Sequence, residues 1–93
     1  MIELREPVHG ERFNDFLQSL AVDFGTQILR MKGILQVEGV PDQPAVLHMV
    51  QHVVFPVQWL KRWPDGKRGS KLVFITQELA REVIENRLRE QFS

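Results

Sequence analysis

Residues 26–38 (TQILRMKGILQVE) show the clearest alternation of apolar and polar side chains in the chain. From residue 29 onward their odd positions are, in order, Leu29, Met31, Gly33, Leu35 and Val37. Most of their even positions are charged or polar, although Ile28 and Ile34 interrupt that row. A period of two predicts one long strand with a buried face and a more solvent-exposed face. Gly33 has no side chain to pack within the buried row, which indicates a bulge or a close approach by another element.

A helical period precedes this strand, starting near Glu11. Its apolar residues recur three and four apart and form one stripe: Phe13, Phe16, Leu17, Leu20, Ala21 and Phe24. This spacing predicts an amphipathic helix. Gly25 follows the stripe, where a glycine C-cap is expected. Before the helix, residues 2–5 alternate up to Pro7 and predict a short edge strand.

Prolines and glycines divide the region after the long strand. Residues 39–44 contain two prolines and predict a turn-rich connector, because proline is excluded from sheet interiors. Residues 45–55 are rich in β-branched and large apolar side chains, which predicts a strand returning antiparallel to its neighbour. Beyond Pro56, residues 57–60 are either a continuation of that strand after a kink or a further short strand. Residues 63–70 predict a loop with a β-turn at Pro64 and Asp65.

The last third of the chain predicts a strand and a closing helix. Residues 72–75 (LVFI) are a continuous apolar run, typical of a central strand covered on both faces. Thr76 is a candidate N-cap, with Glu78 in the first helical turn. The apolar side of this helix would be Leu79, Val83, Ile84, Leu88 and Phe92.

Together these patterns predict an α+β fold in the order β-α-β-β-(β)-β-α. We expect an antiparallel sheet of about four to five strands with two helices packed on one face. A length of 93 residues predicts a single domain with one core.

Composition removes several classes of function. Twelve basic and twelve acidic side chains cancel, so no global charge favours nucleic acid or an anionic membrane surface. There is no cysteine, which excludes disulfides and Cys-based zinc sites and is compatible with an intracellular location. No apolar run approaches the roughly 18 residues of a membrane span.

Two of the three histidines have a spacing that is used in metal sites. His48 and His52 are four apart, which on a helix places two ligands on one face. On a strand the same spacing separates them by roughly 13 Å, too far to share an ion. Because the neighbouring residues favour a strand, we expect no metal site.

A cluster of basic residues lies beside two tryptophans: Lys61, Arg62, Lys67, Arg68 and Lys71, with Trp59 and Trp63. Cations interleaved with aromatic rings can bind single-stranded nucleic acid. They can equally form a solvated loop that its tryptophans anchor to the core. The neutral net charge favours the second interpretation.

No combination of residues indicates catalysis. The sequence has no cysteine nucleophile, no G-x-S-x-G and no glycine-rich phosphate loop. The acids of the closing helix (Glu78, Glu82 and Glu85) alternate with arginines, as on a charged outer face. We therefore expect no enzymatic activity and no cofactor in this chain.

The order of the pieces is nevertheless distinctive. Residues 29–35 (LRMKGIL) follow an amphipathic helix, Trp63 comes next, and residues 72–75 precede a closing helix. This arrangement resembles the C-terminal domain of the CobW-like GTPases, which include the nitrile hydratase activators. The resemblance extends over nearly the whole chain, and the L-R-x-K-G-I-L segment is its most specific part.

The resemblance implies a two-domain cytoplasmic protein associated with metal insertion or cobalamin biosynthesis. In that family an N-terminal P-loop domain hydrolyses GTP and carries a Cys-x-Cys-Cys metal motif, and the C-terminal domain assists regulation or client recognition. The P-loop, the cysteines and the guanine-reading motif do not occur in these 93 residues. GTP binding and hydrolysis are therefore not expected of this chain.

The resemblance selects Arg30, Lys32, Gly33 and Trp63 as motif or interaction candidates. Arg30 and Lys32 could meet carboxylates of a GTPase domain or client. Alternatively, they cover the open side of the sheet and pair locally with Glu38 or another acid. Gly33 is expected to hold a tight backbone position.

We therefore expect residues 1–93 to form one accessory domain that regulates or docks a CobW-like GTPase domain, on the same or a separate chain, and a metal-requiring client protein. The alternative is a free-standing interaction module that dimerises through an edge strand. A single-stranded nucleic-acid binder is less favoured.

Overall fold

A computed structural model describes residues 1–92, without the side chains of Asp65 and Phe92. Phe92 is predicted on the apolar side of the second helix, and this prediction lies outside the described side chains. The elements, in chain order, are β1 (Ile2–Leu4), α1 (Gly10–Phe24), β2 (Ile28–Val37), β3 (Val40–Val50), β4 (Val53–Val54), β5 (Gln58–Trp59), a 3-10 turn (Pro64–Gly66), β6 (Ser70–Thr76) and α2 (Arg81–Phe92).

The strands form one antiparallel sheet in the order β1-β6-β2-β3-β4, and β5 pairs with β3 on the same side as β4. Met31 of β2 marks the centre, opposite Met49 of β3 and Phe74 of β6. The predicted α+β class and antiparallel sheet are confirmed, and so is the edge strand at the N-terminus. The sheet has six strands because the region predicted as the returning strand and its continuation, residues 45–60, is divided between β3, β4 and β5.

Both helices pack on one face of this sheet, as predicted. α1 contacts β2, β4 and α2. The stripe predicted for α1 is buried except for Phe24, which is partly buried. The core contains residues of both helices and of the covered side of the sheet, mainly Phe13, Phe16, Leu17, Leu20, Met31, Leu35, Leu47, Met49, Leu72, Ile84 and Leu88. Neither helix among the described residues is long and apolar enough to cross a membrane.

Gly25 is the C-cap of α1, but for a different reason from the one expected. Its backbone is right-handed (φ −59°), whereas a glycine C-cap usually serves a left-handed conformation. A Cβ at this position would collide with the ring of His52. That ring packs against the end of the helix, with Nδ1 3.2 Å from the carbonyl oxygen of Ala21. A Cβ would also meet the backbone carbonyl oxygen of Ala21, so the glycine is explained by the close approach of both groups.

A β-bulge alters the predicted alternation at the start of β2. The pairing of β2 with β6 shifts register between Ile28 and Arg30. A one-residue shift reverses the faces, so Ile28 is buried and Leu29 is 37% exposed. The prediction that Leu29 belongs to the buried row is wrong, while Met31 and Leu35 are buried as expected.

The predicted connector at residues 39–44 is also wrong, because β3 already begins at Val40 and only Glu38 and Gly39 form the turn. The prolines are tolerated because the register shifts here. Leu35 pairs with Ala45 and Val37 with Val40, so residues 41–44 lie opposite Gln36 alone. Where the ladder is interrupted, a missing N–H has little cost.

The predicted strand at residues 45–55 is interrupted by a turn. Gln51 has a positive φ of 50°, and the chain reverses there into β4. Of the two alternatives for residues 57–60, the structure has the further short strand. This strand is β5, and its Trp59 pairs with Ala45. β4 and β5 therefore form one broken edge antiparallel to β3.

The closing helix starts later than predicted, at Arg81. Thr76 is the last residue of β6 and is not the N-cap. The N–H of Gln77 donates to the carbonyl of Gln27 at 2.7 Å, which continues the pairing of the two chain segments. Glu78 then takes a positive φ of 54°, so a helix cannot start at this point.

β6 lies at an interior position of the sheet, but only one of its faces is covered. Val73 is 47% exposed and Ile75 is 53% exposed on the side opposite the helices. The prediction of a strand covered on both faces is therefore wrong for this chain alone. Since the helices cover only one side, the apolar run leaves an uncovered apolar surface.

Candidate interaction surface

The side of the sheet opposite the helices is referred to below as the open face. The strand alternation and the register place these residues on it: Glu3, Arg30, Lys32, Ile34, Val46, His48, Val50, Val53, Phe55, Gln58, Lys71, Val73 and Ile75. Five of its apolar residues are large and more than a third exposed: Val50, Val53, Phe55, Val73 and Ile75. They form two groups, Val73 with Ile75 on β6 and Val50, Val53 and Phe55 at the opposite edge, with β2 between them. Single apolar residues are normal on a surface, but grouped ones on one face indicate an interaction site.

Arg30 and Lys32 lie at the centre of this face. Arg30 pairs across the strands with Ile75, and Lys32 lies between Val73 and His48. Both side chains are exposed, and neither forms an ion pair within residues 1–92. The local pairing with Glu38 is not made, because Glu38 lies in the turn at the far end of β2.

The open face is positively charged as well as apolar. Arg30, Lys32 and Lys71 are its cations, and Glu3, opposite Lys71, is the carboxylate among its strand residues. The whole chain is neutral, so this imbalance is local. A surface of this kind is complementary to an apolar surface that carries carboxylates.

Gly33 lies in the same strand but faces the core. A Cβ added there would lie 2.5 Å from Cδ2 of Leu72, which is fully buried. The close approach therefore comes from the neighbouring strand, and no helix crosses at this point. Gly33 shapes the packing under the open face and also lines a depression on that face.

Trp63 lies outside the open face. Its ring is 7% exposed, and its Nε1–H donates to the carbonyl oxygen of Pro41 at 2.8 Å. It anchors the loop at its 3-10 turn to the irregular start of β3. A ring buried in this way cannot stack on a nucleotide base. Of the two tryptophans, Trp59, which is 51% exposed, is the one that could do so.

Three of the basic residues near the tryptophans, Lys61, Arg62 and Arg68, line one depression together with Trp63 and Asp42. Arg68 pairs with Asp42, and Lys71 belongs to the open face. Lys61 and Arg62 remain exposed on the loop. The burial and hydrogen bond of Trp63 agree with the predicted anchoring of this loop to the core.

The two histidines whose spacing is used in metal sites, His48 and His52, lie in different environments. His48 stacks on Phe55 with ring centroids 5.1 Å apart, whereas His52 contacts the end of α1. Among the described residues no three His, Cys, Asp or Glu side chains come together as a metal site would require. Nε2 of His48 is buried without a hydrogen-bond partner in this part of the chain.

The sequence indicated Arg30 and Lys32 but not His48 or Lys71 as surface residues of the same site. The cross-strand register places His48 opposite Lys32, and it places Lys71 opposite Ile34, the next residue of β2 on the same face. No local pattern in the sequence carries that information.

Residues 1–91 match the model of the family described as the cobalamin synthesis protein cobW C-terminal domain. The chain belongs to this family. The resemblance inferred from residues 29–35, Trp63 and the apolar strand is thereby confirmed.

Among the proteins similar to this chain is the zinc chaperone YjiA of Escherichia coli strain K12, 29% identical over 84 residues. The match covers 90% of this chain and 26% of that protein. The crystal structure of Zn(II)-bound YjiA GTPase from E. coli has a TM-score of 0.83 at 27% identity, over 99% of this chain and 28% of that one. A Zn(II)-bound triple mutant of YjiA GTPase has a TM-score of 0.84, with the same identity and coverage. This chain thus spans about a quarter of the relatives that it matches.

Proposed function

We propose that this chain is a non-catalytic accessory domain that docks a P-loop GTPase domain through its open face. The most direct support comes from Arg30 and Lys32, which form no ion pair among the described residues. Exposed apolar side chains of the open face flank these two cations. Membership of the cobW C-terminal family provides the class of partner, because the matched relative is a GTPase about three-quarters of which lies outside the match.

The exposed apolar residues favour docking over simple solvation. Val73 and Ile75 lie on an interior strand, where a domain that worked alone would gain nothing from exposing them. Covering apolar surface stabilises a complex by about 25 cal/mol per Å² before the cost of association is subtracted. The cations would then fix orientation and select the partner.

We further propose that the docked domain adjusts GTP turnover or the access of a metal-requiring client protein in the cytoplasm. The names of the matched relatives, a zinc chaperone and a Zn(II)-bound GTPase, support a client that requires zinc. In this proposal the metal is held outside the present chain.

The test uses the cognate GTPase domain, meaning the GTPase domain encoded in the same gene or, if this chain is separate, by its partner gene. Calorimetry measures binding of the 93-residue chain to that domain, and GTP hydrolysis is measured with and without the chain. Saturable binding with a changed turnover number is expected. Absence of binding, or nucleotide hydrolysis by the chain alone, would contradict the proposal.

Self-association through a sheet edge is the second candidate. β1 pairs only with β6, so its outer edge has no neighbour among the described residues. Such an edge can accept another strand, although β1 is only three residues long. Sedimentation at high protein concentration distinguishes the two, because a dimer supports this candidate and a strict monomer contradicts it.

A further inference from the structure

A shallow depression of about 390 Å³ lies on the open face between two rows of paired side chains. Its polar lining residues are Lys32, Lys71, His48 and Gln58, and Val46 and Val73 provide apolar walls. The depression thus combines two ammonium groups, an imidazole and an amide. The described part of its lining contains no carboxylate.

His48 supplies an independent observation at this place. Its ring is held nearly parallel to that of Phe55, 17° between the planes, and its Nε2 is buried without a hydrogen-bond partner within residues 1–92. A buried polar atom that lacks a partner costs about 1–3 kcal/mol. In the tautomer that carries a proton on Nε2, an acceptor oxygen of a partner would remove that cost once the side chains that shield this atom from solvent move aside.

We propose that this depression binds a carboxylate of the docked GTPase domain, from an Asp or Glu flanked by apolar side chains. The proposal rests on the docking function above and specifies its chemistry. The ammonium groups of Lys32 and Lys71 neutralise the carboxylate, and His48 and Gln58 donate to its oxygens. The surrounding apolar residues exclude water, which strengthens each charge-assisted hydrogen bond.

A protein carboxylate fits better than a free phosphate. Lysine binds phosphate as well as carboxylate, so the walls of the depression and not its charges distinguish the two anions. The apolar walls and the neighbouring exposed valines favour an anion that arrives with hydrophobic surface attached. Inorganic phosphate and GTP therefore serve as competing probes.

The experiment compares two double variants of equal charge. Lys32→Gln with Lys71→Gln removes the cations of the depression, and Lys61→Gln with Lys67→Gln removes two exposed loop cations. We expect the first pair to weaken binding to the cognate GTPase domain by about 30-fold or more. The loop pair should stay within about threefold of the unchanged chain.

His48→Phe provides the second variant. It retains an aromatic ring to stack on Phe55 and removes both ring nitrogens, including Nε2, which is without a partner among the described residues. We expect binding to weaken by roughly five- to tenfold, while the melting temperature stays equal or rises. A lower melting temperature with unchanged affinity would show a purely structural histidine and overturn the proposed contact.

The outcomes separate this inference from the docking function. If the unchanged chain binds and the depression variants bind equally well, or no worse than the loop pair, the carboxylate site is wrong and docking stands. If phosphate or GTP alone shifts the resonances of Lys32 and His48, the depression is a phosphate site and the inference is also wrong. If the unchanged chain does not bind at all, both proposals fail.

Discussion

At Gly33 the sheet has no room for a side chain. Gly33→Val would place branched carbon atoms against Leu72, which is fully buried and cannot move aside without disturbing the core. We expect a loss of a few kcal/mol in the free energy of unfolding. Urea denaturation measures it. The double variant Gly33→Ala with Leu72→Ala should lose less than the sum of its single changes, and an additive result would show that the two side chains do not collide.

Substitutions of the two tryptophans test the loop anchor, with Trp63 as the anchoring residue and Trp59 as the control. Trp63→Phe removes the donor to the carbonyl of Pro41 from a ring that is almost fully buried. It should destabilise the chain by about 1–2 kcal/mol. Trp59→Phe, at a half-exposed position, should stay within about 0.5 kcal/mol. Equal losses in thermal unfolding would contradict the anchoring role of Trp63.

Between the elements, Arg87 connects the two helices. Its guanidinium donates to Asp23 at 2.8 Å and lies 5.1 Å from the ring centroid of Phe24. The ion pair is partly exposed and contributes little alone, so we expect Arg87→Ala to cost about 1 kcal/mol in total. The matched control is Arg89→Ala, whose side chain is mostly exposed and contacts only its own helix among the described residues. Chemical denaturation that gave the control the larger loss would contradict this role.

The elements also show which features the sequence could predict. The stripe of α1 and the central part of β2 follow from local periodicity, and both were predicted. The tolerated prolines at positions 41 and 44 depend on a register shift between β2 and β3, and the turn at Gln51 has no glycine to indicate it. Such features depend on pairing between distant segments, so a local pattern does not contain them.

The apolar run of β6 illustrates a different limit. An interior strand covered on both faces has the same sequence pattern whether its second cover is part of its own chain or a partner. The sequence correctly indicated two apolar faces, but the structure covers only one. For the candidate site, Arg30 and Lys32 could be predicted from alternation and family motif, whereas the roles of Lys71 and His48 required the register.

At the scale of the whole molecule, the charge distribution predicts how docking depends on salt. The chain is neutral, yet the strand residues of its open face carry three cations and one carboxylate. If these cations meet carboxylates, the affinity for the cognate GTPase domain should fall as ionic strength rises from about 0.01 to 0.15 M, where the screening length shortens from roughly 30 to 8 Å. Calorimetry at several salt concentrations measures this. An affinity that is independent of salt would indicate an interface that does not use these residues.

The central claim is that the open face, and not the helical face, contacts the GTPase domain. The most direct test is NMR of the methyl-labelled chain in the presence of a soluble paramagnetic agent. This agent broadens the resonances of exposed methyl groups. Val73 and Ile75 report on the open face, and Val22, 81% exposed on α1, reports on the helical side. On adding the cognate GTPase domain, we predict that Val73 and Ile75 become protected while Val22 stays broadened. Protection of Val22 with continued exposure of Val73 and Ile75 would contradict the account.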